Sequence, residues 1–246
     1  PSSGAGNSIT GHTANWGLSS TSPCKNKGAL SVANYLPVFD VEGNLRIDYD
    51  TVDIGALEYL QSDVLCGILS TNRTLSKYVI ISCDVTVNTG VTLTIPAGAK
   101  VRFMGPYKLN ILGTLLAVGT FDNLIRFYPI IVSNPWKGIR FDNTNSTDTS
   151  KIEYCVIRNS YAIGSGNENY GGAIFSNNFS RLIIRNNYLI NNRASADGAG
   201  IACIGTSAPY IVSNLIANNT SYGNGGGIYI STTGIPNITN NTITRN

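Results

Sequence analysis

The amino-acid pattern calls for an all-β chain: a right-handed parallel β-helix, a solenoid with about 27 residues per coil. Three observations lead there. Gly171-Gly172-Ala173-Ile174 recurs as Gly198-Ala199-Gly200-Ile201 and again as Gly225-Gly226-Gly227-Ile228, each 27 positions on. Other slots keep the same step: Ile184, Ile211 and Ile238; Asn187, Asn214 and Asn241; Leu189, Ile216 and Ile243. A fixed period of this size is the mark of a solenoid. Third, the apolar runs between the glycines are short, β-branched and alternating, as in Gly227-Ile228-Tyr229-Ile230. They are broken by Gly, Asn, Ser and Thr, which are poor helix formers. Three short strands and three bends fill one such period, and each strand pairs with its counterpart about 4.8 Å along the axis. Parallel crossovers are almost always right-handed.

Equal slots then stack. Ile174, Ile201 and Ile228 make one inward column, and Ile184, Ile211 and Ile238 another. Each buried side chain contributes about 2 kcal/mol, which one coil cannot realise alone. Asn187, Asn214 and Asn241 fall at a bend, where side-chain amides can bond along the stack and where Asn tolerates left-handed backbone. Cys155 opens that column, because Ile152 and Ile157 match Ile184 and Leu189 at a step of 32. The extra residues fall in the Gly/Asn-rich loop from Gly164 to Asn169.

Along the chain, residues 1–35 are rich in Gly, Ser and Asn. Residues 36–60 turn acidic, with Asp40, Glu42, Asp48, Asp50, Asp53 and Glu58 against a single Arg46. Asp40, Asp48, Asp50 and Asp53 are candidate calcium ligands, because a hard cation takes several oxygens. Their spacing does not fit the twelve-residue calcium loop, and a solvated loop remains the competing reading. The repeating helix starts near Cys66 and gives about seven coils. Val79-Ile80-Ile81 and Val85-Thr86-Val87 read as two strands parted by Asp84. Val91–Ile95, Val101–Phe103, Leu109–Leu112 and Ile125–Phe127 continue, with Gly113, Gly119 and Gly138 at bends. The last coil stops in mid-phase without a polar cap, so further coils of the same polypeptide are expected beyond it. Of the five cysteines, Cys66 and Cys83 are near enough to bridge. Cys155 and Cys203 occupy different slots and read as free buried thiols.

Two stretches carry a family resemblance. Ser22-Pro23-Cys24, Asp40-Val41-Glu42-Gly43-Asn44-Leu45-Arg46 and Val52-Asp53-Ile54-Gly55-Ala56-Leu57-Glu58-Tyr59 resemble the closing segment of secreted bacterial right-handed parallel β-helix repeat proteins. These have the pectate-lyase-like fold and are of the surface-anchored type. Asp84 to Phe103, followed by Leu109 to Thr120, resembles the opening coils of such a module. The resemblance implies a closing segment of an upstream module at 1–61 and a second β-helix at 62–246. It also implies export, secreted or to the cell surface. It says little about activity, because this fold hosts lyases, hydrolases, epimerases, adhesins and plain stalks.

Composition narrows the chemistry. Net charge is +3 and only 13% of residues are charged, so solubility rests on Asn, Ser and Thr. No Lys/Arg run suggests a nucleic-acid groove, and no apolar stretch reaches membrane-spanning length. Triads need a histidine, and the only one is His12, away from the repeats. No Cys/His spacing fits zinc. Gly223 to Gly227 opens a strand rather than a helix, so it lacks a phosphate loop's helix N-terminus. Beyond Lys151 the acids are Glu153, Glu168 and Asp197. Glu153, next to inward Ile152, reads as pointing out. Glu168 and Asp197 precede successive Gly turns and are the candidate catalytic pair, or else two solvated loop acids. Phe175, Ala202 and Tyr229 form an outward column, with Tyr161, Tyr170 and Tyr222 in the loops. Tyr170, Phe175, Tyr222 and Tyr229 are candidate sugar-binding residues, or else plain packing. Two function classes stay open. One is a non-catalytic stalk or adhesin with weak glycan affinity, its partners polysaccharide or other surface proteins. The other is a polysaccharide lyase or glycoside hydrolase whose site lies partly outside this piece. No cofactor is expected besides the calcium weighed above.

Overall fold

The computed structural model describes residues 21–23 and 62–246. The chain divides into two compact units, 1–61 and 62–246. The acidic stretch with Asp40, Asp48, Asp50 and Asp53 lies outside the described residues, as does nearly all of the expected closing segment. The second unit is a parallel β-helix.

Its clearest face is a seven-stranded parallel sheet: Arg73–Thr74, Thr92–Ile95, Thr114–Val118, Ser150–Glu153, Leu182–Arg185, Tyr210–Val212 and Asn237–Thr239. Seven strands one above another mean seven coils, as the repeat suggested. We call this the second face. The first face stacks Leu109–Ile111, Ile139–Asp142, Ile174–Asn177, Ile201–Gly205 and Ile228–Thr232. The third stacks Lys100–Phe103, Ile125–Pro129, Cys155–Arg158, Tyr188–Ile190, Leu215–Ala217 and Thr242–Thr244. A narrow fourth ribbon, Tyr161–Ala162, Arg193–Ala194 and Thr220–Ser221, runs between the third face and the first.

The first and third faces join at the N-terminal end. Tyr78–Val87 is one bent strand, not the two that Asp84 suggested. Its first half pairs with Lys100–Phe103 and its second half with Leu109–Ile111. Ser62–Leu69 lies along its whole length, and the register slips between Leu65 and Gly67. Gly67, at φ +82°, absorbs the slip. The Cys66–Cys83 disulfide ties the two strands there, with Cα atoms 4.8 Å apart. The corner is therefore turned by a bulge and a cross-link, and Asp84 need not end the strand.

The 27-residue step holds only in the later coils. Leu93 pairs with Leu115, 22 positions on, and Ile139 with Ile174, 35 on. From Ile174, Ile184 and Leu189 onward the step is 27 on all three faces. Pairing fixes the strands alone, so loops outside the wall absorb any length. The longest coil carries the 3₁₀ turn Gly166–Asn169, inside the loop that the step of 32 had located.

The interior changes along the axis. The early coils add rings to an aliphatic interior: Trp136 stacks on Phe103 at 4.1 Å and lies 6.2 Å from Phe127, and Phe141 stacks on Phe179. The later coils hold the expected aliphatic columns, with Ile174, Ile184, Ile201 and Ile211 sealed from solvent. Ile228 and Ile238, in the last coil, are only partly covered. Cys155 and Cys203 are free and buried, acting as small apolar residues.

Amides take over at the corners. The Asn214 carboxamide oxygen accepts both the Asn187 backbone N–H and the Asn187 side-chain N–H, each at 3.0 Å. Its own nitrogen donates to the Ile184 carbonyl at 2.9 Å and to Asn241 at 2.9 Å. Asn187 does the same for Cys155 at the head of the column. The left-handed backbone, however, is not on the ladder residues. It is on the residue before each: Tyr154, Asn186, Ser213 and Asn240, at φ 52° to 56°. The ladder asparagines do not take this conformation, and the side chains of Asn187 and Asn214 are buried in the wall. Five residues further on runs a second ladder of the same build: Ser160, Asn192, Asn219 and Asn246. Again the preceding residue is left-handed, at Asn159, Asn191, Asn218 and Arg245.

Candidate functional site

Two places on the outside carry chemistry. The first lies on the first face. Asn110, Arg140, Phe175, Ala202 and Tyr229 are register neighbours there and form the outward column. The long loop after Ala162 folds back over it. Arg140 holds that loop down. Its guanidinium donates to the carbonyls of Tyr170 at 2.6 Å, Gly171 at 3.2 Å and Asn167. It also lies over the Phe175 ring, 4.3 Å from the centroid. Burial pushes the Arg140 guanidinium down to about 10, with Glu168 and Asp142 acting the other way. It is thus still cationic at neutral pH.

This overturns one expectation. Phe175 does point outward, but Arg140 and Tyr170 cover it completely, so it offers no open ring face. Tyr170 sits 6.4 Å from Phe175 and 6.2 Å from Tyr229, ring to ring. These three form one cluster. Tyr222 belongs to another. It is exposed, and its hydroxyl accepts from Arg193, whose guanidinium also lies over Tyr161 at 4.7 Å.

The acids around this site are engaged. Glu168 stands between Lys108 and Lys137, bonded to the first and 3.5 Å from the second. A small pocket beside it is lined by Lys108, Asn110, Arg140, Asp142 and Asn167. Burial by itself would raise the Glu168 carboxyl, but the two lysines outweigh it and hold it below its ordinary value. Asp142 accepts from Asn177 at 2.7 Å and Asn167 at 3.2 Å. Asp197 is buried and accepts the Asn224 backbone N–H, which shapes the next Gly turn. Among the described residues Glu168 and Asp197 have different partners: Glu168 pairs with Lys108 and Lys137, and Asp197 with the Asn224 backbone. Glu153 also departs from expectation. It is buried rather than exposed, because Arg185 from the next coil folds over it at 2.8 Å.

The Glu168 pairing has a measurable sign. Its folded carboxyl titrates below the ordinary value of 4.5, so its contribution is complete above that value and is lost as pH falls through the folded one. Amide exchange in Ser165–Gly171, corrected for the intrinsic rate, should therefore accelerate as pH drops below 4.5. The same amides in Glu168→Gln should show no such step.

The second place is a groove over the bend between the second and third faces, of about 370 Å³. One column of its lining is the left-handed residues Tyr154, Asn186, Ser213 and Asn240. The other is the outward residues of the third face: Tyr188, Leu215 and Thr242. The buried asparagine ladder lies between them. The preceding coil turns this corner with a longer loop, Thr120–Asn123, closed by reciprocal backbone bonds of 3.2 Å. That loop raises Phe121 beside Leu124 at the N-terminal end of the groove. Phe121 is 78% exposed. Sequence reading missed this groove. Its signal was the unequal spacing of the bends: a four-residue turn in one coil, a single left-handed residue in the next four.

Stacked parallel coils, two asparagine ladders and these two outer sites define the class: a parallel β-solenoid of the β-helix type. Comparison of the chain with models of known protein families, with curated proteins and with solved structures returned no match.

Proposed function

We propose that the unit 62–246 is a non-catalytic module of a secreted or cell-surface protein, a rigid stalk or adhesin with affinity for glycans. One observation carries this reading. Four acids of the coils, Asp142, Glu153, Glu168 and Asp197, are each engaged by amides, cations or backbone N–H groups, whereas the groove over the bend presents uncommitted aromatic and amide groups. A general acid and base need carboxyls free to exchange protons with a substrate. Rings beside amides are what a sugar's apolar face and hydroxyls meet. The Cys66–Cys83 disulfide supports an oxidising compartment, as expected of an exported chain.

Incubation with uronic-acid and neutral polysaccharides, with and without calcium, should release no new reducing or unsaturated ends, and a neutral polysaccharide should be retained. Turnover that disappears in Glu168→Gln or Asp197→Asn would overturn the reading.

A further inference from the structure

We infer that the groove over the bend between the second and third faces is a binding site for a neutral, extended oligosaccharide lying along the solenoid axis. This deepens the reading above and rests on it.

The lining decides the chemistry. None of the eleven residues that line the groove is Lys, Arg, His, Asp or Glu. A polyanion such as a uronic-acid chain or a nucleic acid would find no counter-charge and would lose its hydration. Backbone capture is closed too. The N–H groups of Tyr154, Asn186 and Ser213 are already bonded to Arg185, Val212 and Thr239 of the following coil. Cys155–Arg158, Tyr188–Ile190 and Leu215–Ala217 beside them are paired on both sides, coil to coil. Along these coils a peptide therefore cannot add as an extra strand.

What remains is side-chain recognition, and those groups are unengaged. Asn187 and Asn214 spend their amides inside the wall. Asn186, Ser213 and Asn240, one position earlier, make no side-chain hydrogen bond among the described residues, nor do the hydroxyls of Tyr154 and Tyr188. Phe121 and Tyr188 add open ring faces. Amides and hydroxyls beside apolar rings match an uncharged sugar, which shows both hydroxyls and an apolar C–H face.

The spacing fits a chain. From Tyr154 to Asn240 the groove crosses three coil steps, about 14 Å at about 4.8 Å each. An extended pyranose unit advances by nearly one such step. Each coil then offers one polar side chain per sugar, and Phe121 and Leu124 bound the N-terminal end.

The test is calorimetric titration of the chain with soluble β-1,4-linked hexasaccharides of glucose, xylose and mannose, and with hexagalacturonate. A neutral hexasaccharide should bind. Phe121→Ala and Tyr188→Ala should each weaken it about tenfold with unchanged thermal unfolding, while Tyr222→Ala should leave it unaltered. Binding lost in Tyr222→Ala but kept in both groove variants would overturn the groove and leave the glycan reading standing. Binding of hexagalacturonate alone would overturn the neutral class. No binding of any sugar by the unaltered chain would remove the glycan affinity, and the groove with it.

Discussion

Asn214→Leu is expected to cost the β-helix about 4 kcal/mol. The side chain makes four hydrogen bonds at the centre of the first ladder: two accepted from Asn187, one donated to Ile184 and one to Asn241. Three of the four are buried, where water cannot replace them, and the one to Asn241 is partly buried. Each contributes about 1 kcal/mol net, and the stranded Asn187 N–H groups cost at least that much. Leucine has the same number of side-chain heavy atoms and is somewhat bulkier, so a cavity is not the cause. Asn241→Leu should cost less, because Asn241 is only half-buried. Urea unfolding followed by circular dichroism reads both. Equal midpoints for Asn214→Leu and the parent chain would mean that the column does not hold the coils together.

Trp136→Ala should cost a similar amount, about 4 kcal/mol, by a different route. Among the described residues Trp136 is the largest fully buried side chain. It fills the corner of an early coil against Phe103 and Phe127, and its indole N–H donates to the Arg158 carbonyl at 3.0 Å. Alanine opens a cavity and leaves that carbonyl without its donor. Trp136 is bridged to Ser160, which heads the second asparagine ladder. The variant should therefore loosen the ladder below it. Trp136→Phe, which keeps most of the volume, should lose well under half as much. If both variants melt with the parent chain, the ring is not a packing element.

These two positions also mark where the sequence was legible. The ladder through Asn187, Asn214 and Asn241 recurs at equal steps, so it announces itself. Its twin through Asn192, Asn219 and Asn246 keeps the same step but is preceded by Ser160, and it was not picked out. The early coils hide their period, because loops outside the wall vary in length while strand pairing stays constant. Trp136, Phe103 and Phe141 interrupt the aliphatic columns there, so the equal slots carry different residue types. The site was harder still. Phe175 was rightly assigned outward, but its cover comes from Arg140, a coil earlier, and from its own long loop. Glu153 was hidden by Arg185 in the same manner. The groove has one lining residue per coil at each bend, and Tyr154, Asn186, Ser213 and Asn240 share a backbone conformation rather than a chemistry. Only folding places them in line.

The unequal coil lengths have a mechanical meaning. Tension on the chain from its C-terminal side meets one coil at a time, because each coil is bonded only to its neighbours. A released 27-residue coil lengthens the chain by about 95 Å at about 3.5 Å per residue. The later coils give equal increments, and the earlier ones, from 22 to 35 residues, give unequal ones. The last to yield would be the pair of strands stapled by Cys66 and Cys83, which cannot separate at that point while the bond is intact. The molecule thus resembles a spool whose final turn is knotted to its core: extensible under load, yet anchored against complete unwinding.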